Sequence, residues 1–472
     1  MKRICKITIF CLICINLIPL NIYSQNDSLK VDSIHIKYIQ NMIIERIILV
    51  GNEKTKEDVI LRELKTKEGE KLNLTVLEED IKRLYNLGLF IKVDVLPAPL
   101  MNNKINLIFE FEESFYFLPI PQGGIKEGDI KKIWGGINFE WRNFRGMNHT
   151  INLSFGVGYE PFIFTSFTNP WVMGKHHYFY QFGFGFSRNY DRSKGKTDST
   201  GVYFLKDDVP TFKINNYQGS IRFGKFINDF TALSGILSYF SKTVSEYEES
   251  RTLSTDGHDY YPSLTLDFTF DSRDYNKFPL KGFYNNTQYS RIGLFSGLFD
   301  LNKIKFDVRN YLPVRIAGEY KIILGGRFNT AVTFGGGDIP AYLREQLGYD
   351  NLIRGWDNFV FQGEDKLFAS TELRIPIIQP FYVKGHDHMV INKLPVVKQF
   401  SYRYGLYTTL FYDLGGVWGR KENISNTQFK SGYGIGLNFL LPFNFVARTD
   451  LGFRRENSKF KGQIIVSLDA SF

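Results

Sequence analysis

Residues 150–159 read TINLSFGVGY, and this alternation limits the folds open to the chain more than any other feature. Ile151, Leu153, Phe155, Val157 and Tyr159 fall on one side of an extended strand, with Asn152, Ser154, Gly156 and Gly158 on the other, because successive strand side chains point to opposite faces. The period returns in YQFGFGFS (180–187), where Tyr180, Phe182, Phe184 and Phe186 oppose Gln181, Gly183, Gly185 and Ser187, and again in LTLDFTFD (264–271). The second face is mostly Gly, Ser, Thr and Asn, whereas the outward face of a soluble sandwich is usually charged. The apolar face is large and aromatic, in a chain with 44 Phe and 27 Tyr. Beyond the N-terminal segment no run of 18 apolar residues occurs, so no membrane-spanning helix is indicated. An aromatic face backed by a small, wet face suits a transmembrane β-barrel with lipid outside and water inside.

Strands of this kind run from about residue 131 to the C-terminus, and fifteen are legible. A barrel whose N-terminal domain and C-terminal carboxylate both face the periplasm needs an even number. The expectation is therefore sixteen antiparallel strands, with TGVYFLK (200–206) as the segment that has room for the missing one. On that count the long polar stretches 245–258, 334–365 and 418–430 lie outside the cell, as long barrel loops do. The tight connections YEPF (159–162) and LPFN (441–444) fall in the periplasm. Segment 379–402 is long and basic, and fits less well at that end.

Ahead of the barrel the pattern changes. Residues 1–25 carry Lys2, Arg3 and Lys6, an apolar run over 7–20, then small or polar residues, the layout of an export signal. Cys5, Cys11 and Cys14 all lie within it, so the exported chain is expected to have no disulfide or thiol chemistry. A short linker (26–40) leads to an α+β unit over 41–113. IERIILVGN is a strand closed by a Gly-Asn turn. Thr55 with Asp58, and Thr75 with Glu78, have the spacing of capping boxes. Leu77, Ile81, Leu84 and Tyr85 share one helical face, and Gly88 can end that helix. IKVDV and KINLIFEF then alternate around a turn, giving the order β-α-α-β-β. Residues 114–130 read as a linker and 131–472 as the barrel.

Net charge is +9, but the basic residues are spread. No basic block or helix marks a nucleic-acid site, and dispersed cations suit anionic lipid head groups. His386 and His388 in GHDHM have no third ligand at metal-site spacing, and no G-x-S-x-G nucleophile motif occurs. The expectation is a protein that is not an enzyme and uses no metal or cofactor.

One loop stands apart. NLIRGWDNF (351–359) sets a single arginine among apolar and aromatic residues, after the loop segment FGGGDIP (334–340). In STELRIP, Leu373, Ile375 and Ile377 take the lipid side, so Glu372 and Arg374 face inward; in LFYDLGG, Leu410, Tyr412 and Leu414 leave Asp413 inward. An arginine drawn into a barrel lumen loses hydration and needs such carboxylates. From the residues alone, a solvated arginine above a wet acidic pore fits equally well.

The strand ending in GN, the pattern T-x-x-D-x-x-x-R from Thr55, and RLYNLGLF-x-x-V-x-V (83–95) resemble a POTRA domain, a polypeptide-transport-associated module. The rest resembles the BamA/TamA-type outer-membrane assembly superfamily, the surface-antigen barrels. IRGW looks like its Arg-Gly-aromatic loop, and ELRIP and FYDLGGVW like the two strand motifs that follow. DSRDYNKFPLKG (271–282) looks like its inner turn, carried by Asp271, Arg273, Asp274, Pro279 and Gly282. WRNFRG (141–146), FTNPWVMG (167–174) and the terminal IIVSLDASF also match.

The resemblance implies that Arg354 pairs with Glu372 and Asp413 in the lumen as a latch, beside Gly355 and with Trp356 in the usual Phe or Tyr position. It implies an outer-membrane factor that folds or inserts β-barrel clients, or alternatively a translocation pore for one dedicated secreted polypeptide. Partners would be those unfolded clients or that polypeptide, outer-membrane lipid, and periplasmic accessory proteins. Barrel-inserting members commonly carry several POTRA units, and one is legible here. The seam would join a first strand opening on Gly135 and Gly136 to a last strand presenting Ile464, Val466, Leu468, Ala470 and Phe472 to lipid. Glycine weakens strand pairing, but the residues fit a closed barrel as well.

Overall fold

The computed structural model describes residues 39–468, apart from 126–129, 173–176, 192–201, 206–210, 296–297, 319, 349–350, 385–392, 394–400 and 442–445. The expected export signal (1–25), most of the linker after it, His386, His388 and Phe472 lie outside the described residues.

The N-terminal unit consists of β1 (Ile43–Val50), α1 (Glu57–Leu61), α2 (Leu74–Asn86), β2 (Phe90–Leu100) and β3 (Lys104–Glu113). Its sheet runs β1-β3-β2, with β1 parallel and β2 antiparallel to the central strand. Alternation in β3 turns Ile105, Leu107 and Phe109 onto the helices, where they meet Ile60, Ile81 and Leu84 in one apolar core. The capping differs from the sequence expectation. Asn73, not Thr75, caps α2, its side chain accepting from the backbone N–H groups of Thr75 and Val76. Thr55 caps nothing, because its hydroxyl is taken by Glu113. A separate fragment spanning 41–113 is expected to fold, and Leu84→Ala to cost it about 2–5 kcal/mol, as for other fully buried leucines. A disordered NMR spectrum of the fragment would show that the unit depends on the barrel.

The barrel sheet has sixteen strands, each antiparallel to its neighbours. In chain order they are β4 (Phe117–Ile125), β5 (Ile133–Phe144), β6 (His149–Gly158), β7 (Phe162–Val172) and β8 (Tyr178–Asp191), then β10 (Phe212–Asn228), β11 (Thr231–Val244), β12 (His258–Asp271), β13 (Gly282–Ile292), β14 (Leu301–Ala317) and β15 (Tyr320–Gly335). The last five are β18 (Asp365–Lys384), β19 (Ser401–Trp418), β20 (Lys430–Leu440), β21 (Val446–Glu456) and β22 (Lys459–Leu468). The strands left out of this sheet, β9 (Val202–Leu205), β16 (Glu345–Leu347) and β17 (Phe359–Gly363), pair with one another in a small separate sheet. It is built from the β8–β10 and β15–β18 connections.

The sixteenth strand is therefore not 200–206. It is β4, inside the stretch expected to be a linker. The sequence FLPIPQGGI hides it: Pro119 and Pro121 break the strand signal. Proline is tolerated at a sheet edge, where an absent N–H is not missed, and among the described residues β4 pairs with β5 alone. Adding a strand at the front reverses the first expected strands. The connection at 159–161 now lies at the outer end, and the 145–148 turn of β5–β6 lies beside the N-terminal unit. Gly135 and Gly136 sit on the second strand, not at the seam. The seam is formed by β4 and β22, which approach one another; among the described residues no ladder joins them.

Candidate functional site

Alternation along β18 and β19 aims Ser370, Glu372, Arg374, Phe411 and Asp413 into the lumen, where all are buried. The β15–β18 connection folds back to meet them. Leu347, Ile353, Trp356, Phe359 and Phe361 of this loop form a cluster against Phe368 and Val417 of the wall. That cluster carries Arg354 to the inner face. Its Nε and Nη2 donate to the two oxygens of Asp413, both at 2.6 Å, and its own backbone N–H donates to Asp413 Oδ2 at 3.0 Å. Nη1 donates to Glu372 Oε1 at 2.7 Å. Nη2 also reaches Ser370 Oγ, which itself donates to Asp413. The guanidinium lies 3.7 Å from the centre of the Phe411 ring.

The pairing extends further than the sequence reading placed it. Glu372 also accepts from Arg448 Nη2 at 3.2 Å and from Arg374 Nε at 2.9 Å, and Arg448 Nε stands 2.6 Å from Asp450. Three guanidiniums therefore face three carboxylates in one buried network, which balances their charge. Desolvated ions need that balance. Arg448 and Asp450 were findable, since the period that turns Asp413 inward does the same for alternate residues of β21.

Close backbone approach completes the docking. Gly355 has φ +95°, and a Cβ there would stand 2.9 Å from the Phe453 carbonyl. A Cβ on Gly432 would sit 1.8 Å from the Arg354 carbonyl oxygen, and one on Gly452 2.7 Å from Gly355 N. The loop therefore lies directly on the bare glycine backbone of β20 and β21. Trp356 fixes the next residue by donating from Nε1 to the Ser431 carbonyl at 2.9 Å, and Arg454 donates to the Gly355 carbonyl. Glycine at three alternate residues of β20, 432, 434 and 436, was the available signal.

At the opposite end of the lumen, the β12–β13 turn holds the other group of expected residues. Asp274 Oδ1 accepts from the backbone N–H groups of Leu280 (2.9 Å) and Lys281 (3.3 Å), which closes the turn. Arg273 is held by Asp271 through Nε at 2.9 Å and Nη2 at 2.7 Å. Gly282 has φ +108°, and a Cβ there would lie 2.3 Å from the Ser272 carbonyl. Phe278 is thereby pushed into the lumen, buried against Tyr407, Leu440 and Val446, and the Pro279 carbonyl accepts from Arg374 Nη1 at 2.8 Å.

The WRNFRG segment joins the two parts of the molecule. Asn143 Nδ2 donates to Thr55 Oγ1 at 2.8 Å, and the Gly146 carbonyl accepts from Lys56 N at 3.0 Å. Tyr116 donates to the Leu89 carbonyl at 3.1 Å; burial pushes its phenol up to about 12, so it keeps that proton. In FTNPWVMG, Trp171 lies under the Arg62 guanidinium of the N-terminal unit, 4.7 Å away.

Comparison with known proteins agrees with this architecture. The family model described as the Omp85 superfamily domain matches residues 143–464, and a POTRA model, the surface antigen variable number repeat, matches 42–114. The outer membrane protein assembly factor BamA of Nitratidesulfovibrio vulgaris is 22 % identical over 85 % of this chain and 47 % of its own length. Outer envelope protein 80 of rice chloroplasts is 27 % identical over 31 % of this chain and 22 % of its own. The chain thus spans less than half the length of these curated relatives. Among solved structures, Haemophilus ducreyi BamA lacking POTRA domains 1–3 superimposes with TM-score 0.63 at 16 % identity, covering 91 % of this chain and 84 % of that one. CdiB from Acinetobacter baumannii gives TM-score 0.55 at 15 % identity, covering 91 % and 74 %. Because the first match runs through more than half of the chain, the protein belongs to the Omp85 superfamily, as an outer-membrane β-barrel with its POTRA domain in the periplasm.

Proposed function

We propose that the protein is an assembly factor that folds or inserts β-barrel clients into the outer membrane, without enzymatic chemistry. The observation that carries this reading is the seam. A single sheet of sixteen strands ends on β4 and β22, side by side with no ladder between them among the described residues. Unpaired backbone N–H and C=O groups are costly in lipid, so the two edges are ready to accept the strands of an incoming chain. The POTRA sheet beneath offers further edges at β1 and β2 to an extended client. Arg354, Glu372 and Asp413 act in this reading as a latch that keeps the outer loop inside the lumen. Outer-membrane lipid and periplasmic accessory proteins are the remaining partners. Depleting the protein and profiling the outer-membrane proteome tests the reading. General loss of barrel proteins is expected; loss of one secreted polypeptide alone would make it a dedicated translocation pore.

A further inference from the structure

Glu372 divides its two oxygens between opposite ends of the barrel. Oε1 takes Arg354 from the outer loop and Arg448 from the wall, while Oε2 takes Arg374 at 2.9 Å. Arg374 is 1 % exposed and reaches from there to the inner turn, with its guanidinium also 5.1 Å from the Tyr311 ring centre on the wall. Its Nη1 donates to the Pro279 carbonyl at 2.8 Å, and its guanidinium lies 4.2 Å from the Phe278 ring centre. The turn has a second grip on the wall, because Arg403 Nη2 donates to the Lys277 and Phe278 carbonyls at 3.3 and 3.2 Å. An unbroken run of buried polar contacts therefore leads from the outer loop, through Glu372 and Arg374, to the periplasmic turn.

We infer that Arg374 is a positioning residue that couples the periplasmic β12–β13 turn to the outer loop, so that whatever moves the turn weakens the hold on Arg354. The inference rests on the reading of Arg354 as a latch. Phe278 has φ +51°, a conformation uncommon outside glycine, and the packing of its ring keeps it there. A client strand or accessory protein that draws the turn down would extract that ring, and with it the acceptor that orients Arg374. Glu372 would then lose the donor on its Oε2, leaving Arg448 of the wall to draw it away from Arg354. Coupling of this kind is reciprocal by thermodynamic necessity.

The chain has no cysteine after Cys14, so one introduced cysteine reports cleanly. Val360 is fully buried in β17 of the loop, and Val360→Cys in the full-length protein becomes reactive to maleimide only when the loop lifts. Heat-modifiable gel migration checks that each variant is folded. In this background Arg354→Ala, Arg374→Gln and Phe278→Ala are each expected to raise the labelling rate about 5-fold or more, the low end of ordinary coupling between sites. Arg374→Lys should restore part of the protection, since an ammonium keeps the charge opposite Glu372 but cannot also span to Pro279. The double variant Phe278→Ala/Arg374→Gln should label no faster than Arg374→Gln alone, because both act on one route. If Arg354→Ala speeds labelling while Arg374→Gln and Phe278→Ala leave it unchanged, the coupling is wrong and the latch stands. If Arg354→Ala itself leaves labelling unchanged, the latch reading fails and takes the coupling with it. Phe278→Ala changes no charged group, so it keeps the test open should Arg374→Gln fail to fold.

Discussion

Arg354→Ala is expected to leave the barrel assembled but its outer loop loose and its activity impaired. The size of the effect follows from burial. In a wet lumen an arginine and two acids would contribute little more than a surface ion pair, about 0–1 kcal/mol. Arg354 is instead 4 % exposed and Asp413 fully buried, and removing one member of such a pair costs about 3–5 kcal/mol because the partner is left uncompensated. Here the alanine would remove three side-chain donors from Asp413, Glu372 and Ser370 and leave three carboxylates facing two guanidiniums. The sixteen-stranded ladder does not depend on the loop, so heat-modifiable migration should persist. Loss should appear as protease sensitivity of 336–364 on intact cells. Asp413→Ala should behave alike, since it removes both acceptors of the Arg354 fork and the acceptor of its backbone N–H. The double variant should be little worse than either single, as expected for residues acting as one unit. Additive losses, or an unchanged loop in both singles, would count against the latch.

Strand parity explains why this much was legible beforehand. The side of a strand residue is set by counting, so Glu372 and Asp413 could be placed in the lumen from Leu373 and Leu410 alone. Strands with a clean alternation declared themselves for the same reason. Where local chemistry served a tertiary need, counting failed. β4 carries prolines that an edge strand accepts, so its signal resembled a linker. Thr55 and Thr75 had capping spacing, but the first was recruited to the joint between domains and the second was displaced by Asn73. Neither choice is visible without the partner across the fold. Arg374 was readable as inward-facing, but not its reach to Pro279, because a contact between residues 95 positions apart has no local signature. The glycines of β20 and β21 read as part of a small, wet face when their role is contact.

That role leads to the second large effect. Gly432→Ala is expected to release the outer loop about as fully as Arg354→Ala, although it alters no charge. A methyl group at 432 would stand 1.8 Å from the Arg354 carbonyl oxygen, and one at 452 would stand 2.7 Å from Gly355 N. No side chain is available to rotate away from either, because both obstacles are backbone. The strand cannot yield without breaking its ladders to β19 and β21, so the loop must move. Overpacking a core in this way typically costs about 1–3 kcal/mol, and a loop displaced by even 1–2 Å would draw the Arg354 fork beyond hydrogen-bonding distance of Asp413. Gly235→Ala is the matched control. That glycine is also in a barrel strand, but a Cβ there meets nothing within 4 Å, so the loop should stay protected. Protease accessibility of 336–364 in the three proteins decides the matter. If Gly432→Ala keeps the loop as sheltered as Gly235→Ala does, the charge network alone holds the loop, and close contact with bare backbone is incidental to the latch.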